Sequence, residues 1–374
     1  MILKVNILTI KQIIAKKYII LGGINIMKDL YKIGWYAERV SPYLPKKAFK
    51  LVPTRLFGGL AYLIVITGGF LAIDLFNLNP LFNFLISIIL GFSFASMGLL
   101  AHEILHGTVV KKPWLRNLLG AIGFWPLLIG PRLWIKWHNM NHHAYTQDDD
   151  MDPDAWMGME QFNNRPFIGW IYRLPITFRS LFSFTFLTVS FTLHSTRMFF
   201  HYINDFKPND RLVTWIQFIL PWTTCIGLLF YIGPEKWLFV YLIPALIGNF
   251  IVMAYIATNH RLNPLVPVND PLVNSLTVTV PRWLDILNFN FSHHTEHHLF
   301  PRMSPKYYPL VKEQIKRMWP ERYNEMPMGK ALISLWKTPR VYYNNTELID
   351  PHKGNIYGSL GNGFDPNNVK YRKI

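Results

Sequence analysis

The chain has 374 residues, of which 51% are hydrophobic, 16% aromatic and only 16% charged, with a formal net charge of +16. Soluble domains carry roughly a quarter of their residues as charges, so this chain has too little polar surface to cover its apolar mass in water, and its aromatic content excludes a disordered chain. The single cysteine, Cys225, excludes a disulfide scaffold and any iron–sulfur or cysteine-rich zinc site held within the chain.

In chain order, residues 1–55 form a basic segment. Its first 26 residues interrupt Ile and Leu with Lys4, Lys11, Lys16 and Lys17, which breaks the apolar core a signal peptide needs and leaves Met27 as an alternative start. Four stretches then lack Asp, Glu, Lys and Arg: Leu56–Ile73, Leu81–Ala101, Leu212–Pro234 and Trp237–Asn259. Each is long enough, at about 1.5 Å per residue, to cross a hydrocarbon layer of about 30 Å. The connections within the first and second pairs are very short, so each pair predicts a hairpin. Two further apolar stretches, Asn117–Pro131 and Ser180–Thr196, predict interfacial or buried helices. The first is broken by Gly120, Gly123, Pro126 and Gly130, and the second is rich in Thr and Ser and contains His194. Residues 342–374, with Gly354, Gly358, Gly361 and Gly363, predict a loop-like tail.

The expected fold is an all-α integral membrane protein, with four transmembrane helices in two hairpins and a helical cap on one side. Of the Lys and Arg residues, 11 lie in residues 1–55, 11 in residues 102–211 and 15 in residues 260–374, and only Lys236 sits in a hairpin tip. The positive-inside rule therefore predicts a multi-pass protein with both termini and the cap in the cytoplasm. Topology accounts for the basic charge, with anionic membrane lipids as a secondary partner and no nucleic acid.

Thirteen histidines occur, and nine fall in three windows: His102 and His106; His138, His142 and His143; His293, His294, His297 and His298. The spacings are HxxxH, HxxxHH and HxxHH, and on a helix residues three or four apart share a face, so each window can aim at least two imidazoles at one point. A lone HxxxH pair at a helix end is usually an interfacial pair; three windows on one membrane face point to metal ligation. So many imidazoles exceed the four ligands of a structural zinc and suit two ions with larger shells. The ligands alone leave iron, zinc, manganese and copper open. Topology follows from the same windows: if Ser180–Thr196 or Asn117–Pro131 crossed the membrane, the windows would be split between its two faces.

HEILH at 102–106, HNMNHH at 138–143 and HTEHH at 294–298, the last extended as HHLFP through Pro301, resemble the three histidine boxes of the membrane-bound fatty acid desaturases. The Asp-Pro-Asp at 152–154 resembles the family too, and the resemblance covers roughly residues 50–325, within a desaturase domain expected over 56–341. It implies that His102, His106, His138, His142, His143, His294, His297 and His298 hold two iron ions, with His260 as a further ligand past the last span. It also implies a reaction in which two hydrogens leave an acyl chain at the expense of O2 and two electrons. The acyl chain would be carried on a phospholipid, acyl-CoA or acyl carrier protein. The chain shows no His-Pro-Gly-Gly cytochrome motif, so the resemblance implies a separate electron donor such as a ferredoxin, flavodoxin or cytochrome.

Around the boxes, His293 is expected to be a neighbour of the ligands, and His194, His201 and His352 to be structural. Asp152 and Asp154 are the best candidates to accept the second ring N–H of ligating histidines, ahead of Glu103 and Glu296, while Asp148–Asp150 suit a solvated acidic turn. Trp134, Trp137 and Trp156 would either line an acyl tunnel or serve as packing and interfacial anchors. Hydroxylation of an alkyl chain, or ketolation of a carotenoid, would use the same ligand spacing. A membrane metal transporter is the rival of another class, disfavoured because the spans lack the internal polar groups of transport sites.

Overall fold

The computed structural model describes residues 29–374, so Lys4, Lys11, Lys16, Lys17 and Met27 lie outside the described residues. After a short helix α1 (Ile33–Val40), the first hairpin is formed by α2 (Arg55–Leu75) and α3 (Pro80–Leu105). Asn79 starts α3 by accepting a hydrogen bond from Phe82 N at 3.1 Å, with Pro80 pre-set for the first turn. In its most apolar stretch α3 is 67% buried against 11% for α2, so α3 is the central helix and α2 the peripheral one.

Helix α4 (Pro113–Phe124) returns along α3, where a Cβ on Gly123 would stand 2.8 Å from both Ala101 Cβ and Met97 O. The chain then bends by 98° into α5 (Pro131–Tyr145). Helix α6 (Ile176–Tyr202) precedes the second hairpin, α7 (Pro208–Ile232) and α8 (Pro234–His260), joined at Gly233 with φ +81°. At the hairpin tips, Lys236 Nζ lies 2.9 Å from Asp74 Oδ1, which ties the two turns together.

Among the described residues five helices, α2, α3, α6, α7 and α8, are long and apolar enough to cross a membrane, one more than the charge-free stretches predicted. The addition is α6, which contains Ser180–Thr196; Phe and Leu outweigh Ser and Thr there, giving a mean hydropathy of 1.4, the lowest of the five. Both ends of α6 touch the histidine-bearing end of the molecule. Near its start Arg179 pairs with Asp350 at 2.7 Å and Ser180 Oγ donates to Trp336 O at 2.7 Å. At its end the Tyr202 ring lies 5.7 Å from Lys136 Nζ on α5. The main core, including Leu99, Phe124, Leu127, Trp134, Phe191 and Val252, fills the space between α3, α4, α5, α6 and α8.

The cap contains α9 (His294–Leu299), α10 (Tyr308–Met318) and α11 (Met328–Lys337). Two sheets depart from the all-α expectation. One is a short parallel pair, β1 (Thr277–Thr279) with β2 (Glu325–Pro327). The other corrects the loop-like tail: β3 (Val341–Asn344), β4 (Glu347–Asp350), β5 (Asn355–Gly358) and β6 (Arg372–Lys373) form a four-stranded antiparallel sheet. Gly354, Gly361 and Gly363 adopt positive φ between or beyond strands, so these glycines mark turns of a sheet. Val341, Ile349 and Ile356 bury one face of it against Met157.

Candidate metal centre

Each histidine window is placed by a different local structure. His102 and His106 close α3, and His294, His297 and His298 lie on α9. The middle window does not follow α-helical spacing, because Ile135–His142 is a π-helix. Its wider turn aligns residues five apart, so His138 and His143 act together and His142 points elsewhere. The imidazoles gather in two buried all-histidine groups: His102, His106, His138, His143 and His297 in one, and His142, His260, His294 and His298 in the other, while His138 and His142 also come within reach of Asp154. Within each group one nitrogen of every ring lies within 4.8 Å of the others. All nine candidate ligands fall in these groups, and His293 falls in neither.

Four of the outward nitrogens are held from behind. His142 Nδ1 lies 2.9 Å from Asp152 Oδ1, and His260 Nδ1 lies 3.0 Å from the carbonyl of Asn274. His298 Nδ1 lies 3.2 Å from Thr146 Oγ1, whose own hydrogen goes to His142 O at 2.8 Å. His297 Nδ1 lies 3.1 Å from Tyr308 Oη, which donates to Phe300 O at 3.2 Å. Each of these partners can only accept, so each Nδ1 carries its hydrogen and each Nε2 presents a lone pair inward.

The inward nitrogens crowd one another. Nε2–Nε2 distances are 3.0 Å for His102–His138, 3.1 Å for His138–His143, 3.0 Å for His143–His297, 2.7 Å for His260–His294 and 3.0 Å for His294–His298. Burial, then the charge of neighbouring imidazoles, pushes His138, His143, His294, His297 and His298 well below the ordinary imidazole pKa and so keeps them neutral. Facing lone pairs repel unless a cation lies between them. All-imidazole groups of five and four therefore fit two transition-metal ions, and the absence of inward thiolate or carboxylate in them disfavours magnesium or calcium. Burial would also lower His142, but the charge and hydrogen bond of Asp152, with Asp154 behind, raise it to about 9. A metal on its Nε2 would take the place of that proton.

The surroundings are layered. Asp154 accepts from Trp137 Nε1 at 2.8 Å and faces His194 Nε2 at 2.8 Å, so two of the expected peripheral residues form a shell behind Asp152 and His142. Trp134 stacks on the His138 ring at 4.4 Å. Glu103 hydrogen-bonds to none of these histidines among the described residues; it binds Arg55 Nε at 2.8 Å and accepts from Ser304 Oγ at 2.6 Å, clamping α2 and the stretch after the third box to α3. Glu296 accepts from Thr277 Oγ1 at 2.7 Å and from Tyr323 Oη. Asp148 Oδ1 accepts from the backbone of Asp150 and Met151 at 3.1 Å, and Asp149 and Asp150 are exposed, as a solvated turn requires. His201 and His352 are exposed.

The fatty acid desaturase family profile matches residues 78–329, which contain both histidine groups. The chain belongs to the fatty acid desaturase family. An acyl-lipid (7-3)-desaturase of Rebecca salina is 26% identical over 285 residues, covering 67% of this chain and 61% of that protein. An sn-1 oleoyl-lipid 12-desaturase of a Synechocystis species is 24% identical over 274 residues, covering 69% and 74%. A Delta(5) fatty acid desaturase of Caenorhabditis elegans is 27% identical over 260 residues, covering 61% and 56%.

Four residues around the histidine groups of this family member escape a motif-based reading: Thr146, Tyr308, Asn274 and Gln147. Gln147, with φ +61°, donates to the carbonyls of His260, Asn263 and Pro264 at 3.2–3.3 Å, joining the second box to the end of α8. Only the position of Thr146 and Gln147 three and four residues past HNMNHH hinted at a role.

Proposed function

We propose that this desaturase inserts a double bond into the acyl chain of a membrane lipid. In this reading His102, His106, His138, His143 and His297 hold one iron and His142, His260, His294 and His298 the other. The observation that carries it is the convergence of nine buried imidazoles, four of which, His142, His260, His297 and His298, have the back nitrogen tied to an acceptor. Methylene C–H bonds resist any side-chain acid or base, so bound iron would supply the oxidising power, with O2 and two electrons. The chain's residues fix the imidazole tautomers, exclude water by burial and orient the acyl chain. The names of the algal and cyanobacterial relatives, acyl-lipid and oleoyl-lipid desaturases, favour a lipid carrier.

Four crossings, α2, α3, α7 and α8, suit the molecule, with α6 lying along the interface. The contacts of both ends of α6 with the cap support this, because a spanning helix would carry one end to the tips marked by Asp74 and Lys236. The bias of Lys and Arg toward the cap then favours a cytoplasmic active site and termini. Exposed Lys46, Lys47, Lys50, Lys111, Lys112 and Arg302 suit docking of a separate acidic electron donor.

The test is lipid mass spectrometry of a host expressing the chain, alone and with His142→Ala. Loss of two hydrogens in a defined acyl species, absent in the variant, supports the proposal; gain of one oxygen would assign hydroxylation, and unchanged product from the variant would reject the ligand assignment.

A further inference from the structure

Outside the metal centre, the chain's buried cations are generally paired: Arg55 with Glu103, Arg179 with Asp350 and Arg322 with Asp270. Arg340, which is buried, and Arg261, which is half-buried, are not. The Arg261 guanidinium carbon lies 4.1 Å from the Trp156 ring centroid, and that of Arg340 lies 5.9 Å from the same ring. Arg340 is 8% exposed, and its one hydrogen bond runs from the backbone N to Tyr172 Oη at 3.3 Å. Among the described residues neither guanidinium has a carboxylate within ion-pair distance or donates a side-chain hydrogen bond. Trp156 Nε1, buried on the ring they share, also lacks an acceptor. Three sets of donors and two like charges thus lie together with no protein acceptor bonded to them among the described residues, so an anion that reached them would gain both charge and hydrogen bonds.

The surroundings indicate which anion. Tyr172 belongs to the helix Pro166–Arg173, which exposes Phe167 at 62% and Trp170 at 53%, the aromatic signature of a helix resting at a membrane interface. Arg261 directly follows His260, so the donors stand beside the metal centre at headgroup level. Planar guanidinium forks match phosphate oxygens, and an indole N–H adds a third donor. Trp156 and Arg261 lie within the 78–329 segment matched by the family and Arg340 beyond it, so the pairing of the two guanidinium groups depends on a residue outside that segment.

We infer that Arg261, Arg340 and the indole N–H of Trp156 form a receptor for the phosphate ester in the head of the acyl substrate. Holding the head beside His260 sets how much acyl chain separates it from the metal centre, and hence which carbon reacts. The inference rests on the desaturase reading for the ligand's identity.

The test is calorimetric titration of the purified full chain in detergent with four probes: dihexanoyl-phosphatidylglycerol, hexanoyl-CoA, inorganic phosphate and dihexanoylglycerol. The expected result is that at least one phosphate ester binds more tightly than both dihexanoylglycerol and inorganic phosphate. Its affinity falls at least tenfold in Arg340→Gln and several-fold in Trp156→Phe, which keeps a ring and removes the donor. The stronger of the two esters identifies the carrier. Equal binding of dihexanoylglycerol, inorganic phosphate matching the esters, or affinities untouched by the substitutions would overturn the inference. If Arg340→Gln lowers the Tm, Arg340→Lys and Trp156→Phe decide, the lysine keeping the charge and losing the fork. Unsaturated product without Arg340-dependent binding rejects this inference alone; such binding without product rejects the desaturase reading alone.

Discussion

Asp152 Oδ1 lies 2.9 Å from His142 Nδ1, while Oδ2 of the same carboxylate accepts from Gln147 N at 2.7 Å. The carboxylate is therefore fixed before it orients the imidazole. Asp152→Asn keeps the shape and removes the charge that favours an Nδ1–H. Metal affinity should fall about 10–100-fold, measured by chelator competition, with the fold retained. Unchanged affinity would leave Asp152 a purely structural role.

Tyr308 does for His297 what Asp152 does for His142, with a weaker, neutral acceptor. In Tyr308→Phe the His297 ring loses its anchor and Phe300 O loses a donor, costing about 0.5–1.5 kcal/mol of stability per lost bond. The metal held by the five-histidine group should be lost to chelators before the other, a biphasic release absent from the native protein.

Arg55 and Glu103 form a pair whose side chains are 13% and 1% exposed. Arg55→Met strands a buried carboxylate and should cost about 3–5 kcal/mol in denaturant unfolding. The double variant Arg55→Met/Glu103→Leu should recover much of that loss, since no uncompensated charge remains. Equal destabilisation in both would show that packing, not charge, governs the site.

Glycine positions separate crowded from open helix faces. Gly123→Val should cost about 1–3 kcal/mol, because its Cβ would meet Ala101 Cβ and Met97 O at 2.8 Å and push α4 from α3. Gly169→Ala has nothing within 4 Å and should stabilise the helix Pro166–Arg173 by roughly 0.5–1 kcal/mol. Thermal melts of the two variants check the contrast.

The convergence of the histidines was legible because their clustering and spacing stand out in the sequence, and the hairpins because uncharged length alone can signal a span. The division of histidines into groups was not. Standard spacing pairs His138 with His142, whereas the π-helix pairs His138 with His143, and nothing in IKWHNMNH announces the wider turn. His194 lacked a neighbour at ligand spacing and so gave no sign of its bond to Asp154, 40 residues away. The terminal sheet was hidden because strands of only two to four residues leave too short an alternation to outweigh their glycines.

The most direct measurement is the iron content of purified protein and of two variants, His142→Ala and His143→Ala, each drawn from a different histidine group. Two irons per native chain are predicted, with each variant weakening chiefly the ion of its own group. Iron-free native protein, or full retention of both ions in both variants, would contradict the account.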